Sequence, residues 1–326
     1  MIKKERHIPI KLMKLEALLR RLALNNPKRN KLEEEYAKVR AGYRGEKSID
    51  YYLNSLDEKE LYIFHDIRLQ HSNTEYFQID ILLLTKKYLL ILEIKNMSGT
   101  LCFDQTFNQL IRILNGKEEA FPDPIMQVKR QQNLLQHWIA SNHFPPLPVY
   151  SLILISNPKT LLKSIPANSD AVSKKVIHAS QLQNKIEIIN RRERDDVITT
   201  REINKISGLL LKLHSPSDPE ILSHFQLEKK DIIKGVQCPK CKRLPMLRSK
   251  NGNWCCSGCK LISKDAHIAA LDDYCLLISA TITNQELRNF LNITSSSSAT
   301  KLLKKLNLNH SGSYRHRIYH LTSPNK

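Results

Sequence analysis

No stretch of this sequence approaches the roughly 20 consecutive apolar residues of a membrane span. Its opening segment, "MIKKERHIPIKLMKLEALLRRLAL", holds no apolar run long enough for a signal peptide. A cytoplasmic location is expected. Internal repeats are absent too, and the one low-complexity tract is Ser295 to Ser298. Acidic residues are scarce: 32 Asp and Glu stand against 51 Lys and Arg, a net charge of +19. Such an excess draws polyanions, nucleic acid first and anionic membrane second. Because the basic residues recur through every segment rather than along one amphipathic helix, nucleic acid is the expected partner, DNA before RNA, and no membrane is expected. The bland counterpart is a solvated basic surface that only aids solubility. Seven cysteines make an awkward set for a disulfide framework, and five of them fall between 238 and 259, which suits reduced thiols with a local metal role.

What is present is a chain of 326 residues, 41% hydrophobic, enough for at least one sizeable core and two or three domains. Residues 11–41 show helical periodicity (Leu12, Leu15, Leu18, Leu19, Leu22), broken at "NNPKRN" and followed by the charged "KLEEEYAKVR". After Gly45, "EKSIDYYLNSL" places Ile49, Tyr52, Leu53 and Leu56 on one helical face. "LYIFHDIRL" (61–69), "YFQIDILLLT" (76–85) and "YLLILEIKN" (88–96) read as an antiparallel meander. A helix over 125–142, preceded by Pro124, leads to the wholly apolar strand "PVYSLILIS" (148–156), expected in the sheet interior. The order helix, three strands, helix, strand predicts an α/β layer around one sheet.

Within the meander, "QIDILLLTKKYLLILEIKN" carries Gln78, Asp80, Glu93 and Lys95 in two otherwise apolar runs. If the loop at Lys86-Lys87 has even length, paired positions sum to 173, so Asp80 faces Glu93 and Gln78 faces Lys95 on one side of the sheet. Ile79, Ile81, Leu83, Leu90, Leu92 and Ile94 then share the other face. A loop of odd length would turn Glu93 away. Carboxylates directly across a ladder, with Cβ atoms roughly 4.5 to 5.5 Å apart, repel unless a positive charge lies between them. Mg²⁺ or Mn²⁺ suits such oxygen ligands, Mg²⁺ taking one or two carboxylates and keeping waters and phosphate in its shell. Lys95, two residues after Glu93, would orient a water or stabilise a pentavalent phosphate. A self-neutralising Asp/Glu/Lys cluster is the alternative use of the same residues.

Asp80 followed after twelve residues by Glu93-Ile94-Lys95 resembles the D…(D/E)-x-K signature of the PD-(D/E)XK nuclease superfamily. More narrowly, "RGEKSIDYYL", "FQIDILLLT", "LLILEIKNMSGT" and Pro124-x-x-Gln127 resemble the nuclease-related domain, NERD, over about residues 40–160, with Asp123 where asparagine would be expected. The resemblance implies a restriction-endonuclease-like mixed sheet flanked by helices. It implies metal ligands at Asp80 and Glu93, a catalytic lysine at Lys95, the first-helix acid at Glu46 and the second-helix polar residue at Gln127. The implied activity is metal-dependent hydrolysis of a phosphodiester, in DNA or less often RNA; such folds also serve as inactive binding modules.

"CPKCKRLPMLRSKNGNWCCSGC" supplies Cys238-x2-Cys241 and Cys256-x2-Cys259, four thiolates for a closed tetrahedral Zn²⁺, with Asn251-Gly252 as the turn between them. The pattern resembles a zinc ribbon, structural rather than catalytic. Cys255 breaks the knuckle spacing, and Cys102 and Cys275 read as buried hydrophobes. Lys240, Lys242, Arg243, Arg248 and Lys250 suit nucleic acid contact, or else surround an adaptor between domains.

Further on, "TNQELRNFLNI" carries a capping-box pattern at Thr283 and Glu286, and "TSSSSATKLLKKLNL" turns Ala299, Leu302, Leu303 and Leu306 inward. The preceding helix, 264–278, offers Ile268, Leu271, Tyr274 and Cys275. With the basic "GSYRHRIYHL" these helices resemble a winged helix-turn-helix, in which Lys301, Lys304, Arg315 and Arg317 would meet nucleic acid. A helical bundle for protein contact is the alternative. The expected organisation is a basic helical segment (1–40), a nuclease-like domain (41–213), a linker and helix (214–234), a zinc ribbon (235–262) and a winged-helix-like domain (263–326). The expected function is a metal-dependent nuclease with accessory DNA-binding parts; the alternative is a non-catalytic DNA-binding or regulatory protein.

Overall fold

The hairpin closes on an even loop. In the protein's structure, a computed structural model that describes residues 1–56, 61–249 and 251–322, Ile81 pairs with Leu92 and Leu84 with Leu89, so paired positions sum to 173. Thr85 and Tyr88 close the turn around Lys86-Lys87: the Thr85 N–H and hydroxyl both donate to the Tyr88 carbonyl at 3.0 Å. Lys250 and the Arg315 side chain lie outside the described residues.

The chain divides into two compact units, one from Met1–His7 and Arg40–Ser217, the other from Ile8–Val39 and Asp218–Lys326. The elements in chain order are β1 (Ile2–Lys4), α1 (Ile10–Arg21), α2 (Arg29–Leu53), β2 (Tyr62–Gln70), β3 (Tyr76–Leu84) and β4 (Leu89–Lys95). Next come β5 (Thr100–Asp104), β6 (Gln109–Leu114), β7 (Lys117–Pro122), α3 (Pro124–Ser141), β8 (Val149–Ile155), β9 (Leu161–Ile165), α4 (Asp170–Lys175), β10 (Val176–His178), α5 (Leu182–Arg192) and α6 (Thr200–Leu213).

In the first unit a six-stranded mixed sheet has the order β1-β2-β3-β4-β8-β10. β2, β3 and β4 are antiparallel, while β4, β8 and β10 run parallel. β8 lies inside the sheet, as its unbroken apolar run requires. One face packs Leu135 and Trp138 of α3 with Ile203, Ile206 and Leu210 of α6. The other packs Ile49 and Leu53 of α2 with Leu182 and Ile186 of α5.

The alternation of β3 reverses at Asp80. Ile79 packs with Leu82 and Leu84, not with Ile81 and Leu83 as strict alternation predicts. β2 reverses at the same level, where Phe64 shares a cluster with Ile67 and Leu69, and Asp66 takes a left-handed φ of 52°. A left-handed residue costs energy in a strand, and here it turns the next side chain to the opposite face.

Two further departures concern elements. Residues 100–122 form β5, β6 and β7, which with β9 make a separate four-stranded sheet, order β7-β6-β5-β9, beyond the single sheet expected. The helical segments expected on either side of Gly45 are one helix, α2. Gly45 serves a close approach: a Cβ there would lie 2.3 Å from Asn96 Cβ just past β4, whereas Gly42 faces open space.

In the second unit Leu15 and Leu18 of α1, with Leu22 just after it, share one core with Leu271 and Tyr274 of α8 (His267–Leu277). Between them in sequence lie α7 (Ile221–His224) and a small antiparallel sheet of β11 (Leu247–Arg248), β12 (Trp254–Cys255) and β13 (Ile262–Ser263). After α8 follow β14 (Thr281–Thr283), α9 (Asn284–Leu291), α10 (Ser296–Lys305), β15 (His310–Ser311) and β16 (Ile318–His320), with sheet order β14-β16-β15. The capping box of Thr283 and Glu286 is formed in full. Ile268, expected inside, is exposed, while Leu271 and Tyr274 are buried. The N-terminal segment thus does not stand apart: its β1 joins the first unit's sheet and its α1 the second unit's core. No helix among the described residues is long and apolar enough to cross a membrane.

Candidate functional site

β3 and β4 run side by side to Ile81 and Leu92 and then carry Asp80 and Glu93 just beyond that pairing. Asp80 Oδ2 accepts the Ile94 N–H at 2.9 Å, which pins the acid of one strand to the backbone of the other. Glu93 is buried, with Lys95 Nζ 2.7 Å from its Oε1. Lys95 Nζ also donates to Gln127 Oε1 at 3.1 Å, so Asp80, Glu93, Lys95 and Gln127 form one linked group. Asp123 fixes the start of α3 by accepting the Ile125 N–H at 2.9 Å, a helix cap followed by proline at the first position. That cap sets the phase in which α3 presents Gln127.

Burial, then the charges of Glu93 and Glu46, push the Asp80 carboxyl well above the usual carboxylate range, against the Ile94 N–H and Lys95. Burial likewise pushes the Glu46 carboxyl up to about 7, against the Arg6 guanidinium and with Asp66 and Glu93 adding repulsion. Glu46 on α2 is therefore an electrostatic neighbour of the hairpin acids. Crowded carboxylates of this kind favour protonation or a cation. An all-oxygen set of Asp80, Glu93, Glu46 and Gln127 fits Mg²⁺ or Mn²⁺ better than a soft metal. Among the described residues the acids form no group as tight as the thiols below.

Three participants carried no signal in the sequence reading. Gln131, one turn after Gln127, is buried and donates to Glu93 Oε2 at 3.1 Å and to the Gln78 carbonyl at 2.9 Å. The four-residue spacing on a helix could have shown it. Asp66 receives the Gln78 amide at 2.7 Å, and its charge reaches Glu46. Arg6 reaches Glu46 at 2.8 Å from a segment read only as a basic preface. Gln78 itself is exposed and belongs to Asp66 rather than to Lys95.

In the second unit Cys238, Cys241, Cys256 and Cys259 bring their sulfurs within 4.8 Å of one another, the one such cluster of potential ligands among the described residues. Sγ atoms of Cys238 and Cys259 are 3.5 Å apart and those of Cys241 and Cys256 3.4 Å. Tetrahedral Zn–S bonds of about 2.3 Å would set these edges near 3.8 Å, so the thiols are poised for Zn²⁺. The Cys259 N–H donates to Cys256 Sγ and leads the interactions that pull that thiol down to about 6. Gly252, at φ 81°, makes the turn joining β11 to β12, where left-handed backbone favours glycine. Cys255 lies on β12 outside the cluster.

On α10, Lys301 and Lys304 are exposed. Thr300 and the Ser296 carbonyl are held instead by Asn284 of α9, at 2.9 and 3.2 Å. Arg317 precedes β16 and is half-buried.

Residues 41–156 match the nuclease-related domain family, NERD, a restriction-endonuclease-like fold. Among solved structures, the chain shows similarity to the crystal structure of protein VC1899 from Vibrio cholerae, at 10% identity over 52% of this chain and 37% of that one, with a TM-score of 0.23. The chain thus spans less than two fifths of that protein's length. No curated protein matches the chain.

Proposed function

We propose that the first unit is a divalent-metal-dependent nuclease that hydrolyses phosphodiester bonds, in DNA before RNA, and that the second unit helps it hold nucleic acid in the cytoplasm. The observation that carries this reading is the linked group of Asp80, Glu93, Lys95 and Gln127 at one end of the β3–β4 hairpin. In this reading Asp80 and Glu93 hold Mg²⁺ or Mn²⁺, which when bound would lower the pKa of a water and polarise the phosphate. Lys95 places an ammonium beside that site to orient the water and meet charge developing on the phosphate. Gln127 steadies Lys95, Gln131 steadies Glu93, and Glu46 adds a further acid.

Cys238, Cys241, Cys256 and Cys259 take a structural Zn²⁺ in a zinc ribbon. The helices α8 to α10 with β14 to β16 follow the order of a winged helix, whose Lys301, Lys304 and Arg317 contact phosphates; the side chain of Arg315, the fourth residue expected there, lies outside the described residues. A second reading, a nuclease fold that binds DNA without cutting, draws on the Lys95–Glu93 ion pair, which neutralises part of the acidic group without a metal. Cleavage of plasmid and linear DNA with Mg²⁺ or Mn²⁺ separates the two. Asp80→Asn and Lys95→Ala should each lower kcat by about 100-fold or more. DNA binding without cleavage by the wild-type protein would select the second reading.

A further inference from the structure

A guanidinium is costly to bury unless its donors are matched by acids and acceptors, yet the Arg6 side chain is only 6% exposed. It is delivered by β1, which runs parallel to β2 with Ile2 opposite Ile63 and Lys4 opposite Phe64. Its Nη1 lies 2.8 Å from Glu46 Oε2 and its Nη2 3.0 Å from Asp50 Oδ1, so one planar fork spans two acids a helical turn apart on α2. Nη2 also lies 2.7 Å from His65 Nδ1. Arginine only donates, so that ring nitrogen accepts and His65 is the neutral tautomer with its proton on Nε2. Burial, followed by the charge of Arg6, pulls the His65 pKa down to about 4, which agrees with a neutral ring. Nε of Arg6 is buried without a hydrogen-bond partner among the described residues. Glu46 follows Gly45, where a Cβ would lie 2.3 Å from Asn96 Cβ, and Asn96 donates to the Ala41 carbonyl at 2.8 Å, so α2 brings this acid to the end of β4 that carries Glu93 and Lys95.

We infer that Arg6 is a positioning residue that fixes the Glu46 carboxylate toward the Asp80–Glu93 pair, making the N-terminal strand, outside residues 41–156, a working part of the site. The inference rests on the nuclease reading above. Asp50 and His65 also hold the fork, so the guanidinium is tied at three partners at once. Without it, Glu46 is free to swing to solvent and the acidic group loses a member, although Asp80, Glu93 and Lys95 stay where the hairpin puts them.

The test uses the full-length protein as wild type, Arg6→Gln, Arg6→Lys, Glu46→Gln and Arg6→Gln/Glu46→Gln. Three readouts are compared: Mn²⁺ affinity from the free-Mn²⁺ electron paramagnetic resonance signal, kcat and KM for DNA cleavage, and thermal melting to set a temperature at which every variant is folded. Arg6→Gln is expected to weaken Mn²⁺ binding or kcat by about 10- to 100-fold, with little change in KM. The same change should add nothing in the Glu46→Gln background, and Arg6→Lys should recover part of the loss. Additive losses, or wild-type affinity and kcat in a folded Arg6→Gln protein, overturn the inference and leave Arg6 a structural tether. A wild type that binds Mn²⁺ without cutting removes the nuclease reading, yet the cycle in Mn²⁺ affinity still decides the role of Arg6. A wild type that neither binds Mn²⁺ nor cuts overturns both.

Discussion

Glu46 shows how one side chain can report on the whole acidic group. Its pKa stands at about 7 in the folded chain against an ordinary 4.5, so between those values the folded state holds a proton that the unfolded state has released. Stability therefore falls as pH rises through that window, by about 1.4 kcal/mol for every tenfold difference in proton affinity. Glu46→Gln removes the titration. In EDTA, the melting temperature of Glu46→Gln relative to wild type should climb between pH 5 and pH 8, and a constant difference would contradict the burial assigned to Glu46. Side-chain placement was legible where spacing alone fixed it. Glu93 and Lys95 share a side by a period of two, the register needs an even loop, and Thr85-Lys86-Lys87-Tyr88 supplies that loop through a threonine side chain rather than an Asn-Gly turn. The reversal at Asp66 was not legible, because aspartate in a strand does not announce a left-handed φ. Arg6 was hidden for another reason: its partner is 40 residues away.

Glycines within α2 give opposite expectations from one substitution. Gly→Ala in an exposed helix interior gains about 0.5 to 1 kcal/mol, and Gly42, with open space around its missing Cβ, should follow that rule. Gly45→Ala meets Asn96 at 2.3 Å and should instead destabilise by about 1 to 3 kcal/mol, pushing α2 and Glu46 away from the end of β4. Denaturant unfolding of the two variants checks the sign of each. The ribbon carries its own test. Cys238→Ser or Cys256→Ser should abolish stoichiometric zinc in elemental analysis, and chelation should lower the melting temperature of the wild-type protein by loosening the core in which Cys238, Cys256 and Trp254 are buried. Strands β2, β3, β4 and β8 and helix α3 could be read from the sequence because their apolar periods are long and clean. β7 could not: "KEEAFP" is almost wholly exposed and has no buried face to write into its pattern. α2 was read as two helices because glycine is a breaker by default, and only the neighbour at Asn96 shows why Gly45 sits inside one.

At the scale of the whole molecule, the +19 charge predicts that the proposed binding to nucleic acid is salt-sensitive. The logarithm of the binding constant should fall linearly with the logarithm of salt concentration, by about 0.9 for each phosphate neutralised on duplex DNA. Replacing both Lys301 and Lys304 with alanine should reduce that slope by about 2, measured by fluorescence anisotropy at several salt concentrations. An unchanged slope would remove α10 from the contact surface. The pairing of distant segments was the least legible feature, since composition shifts mark boundaries but not which pieces rejoin. Arg21 on α1 meets Asp273 on α8 at 2.7 Å across 252 residues of sequence. That separation imposes an order on synthesis. Leu15 and Leu18 of α1 and the adjoining Leu22 are synthesised well before α8, whose Leu271 and Tyr274 share their core. Until α8 follows, the nascent chain holds these leucines with only part of their core, a surface that suits a chaperone.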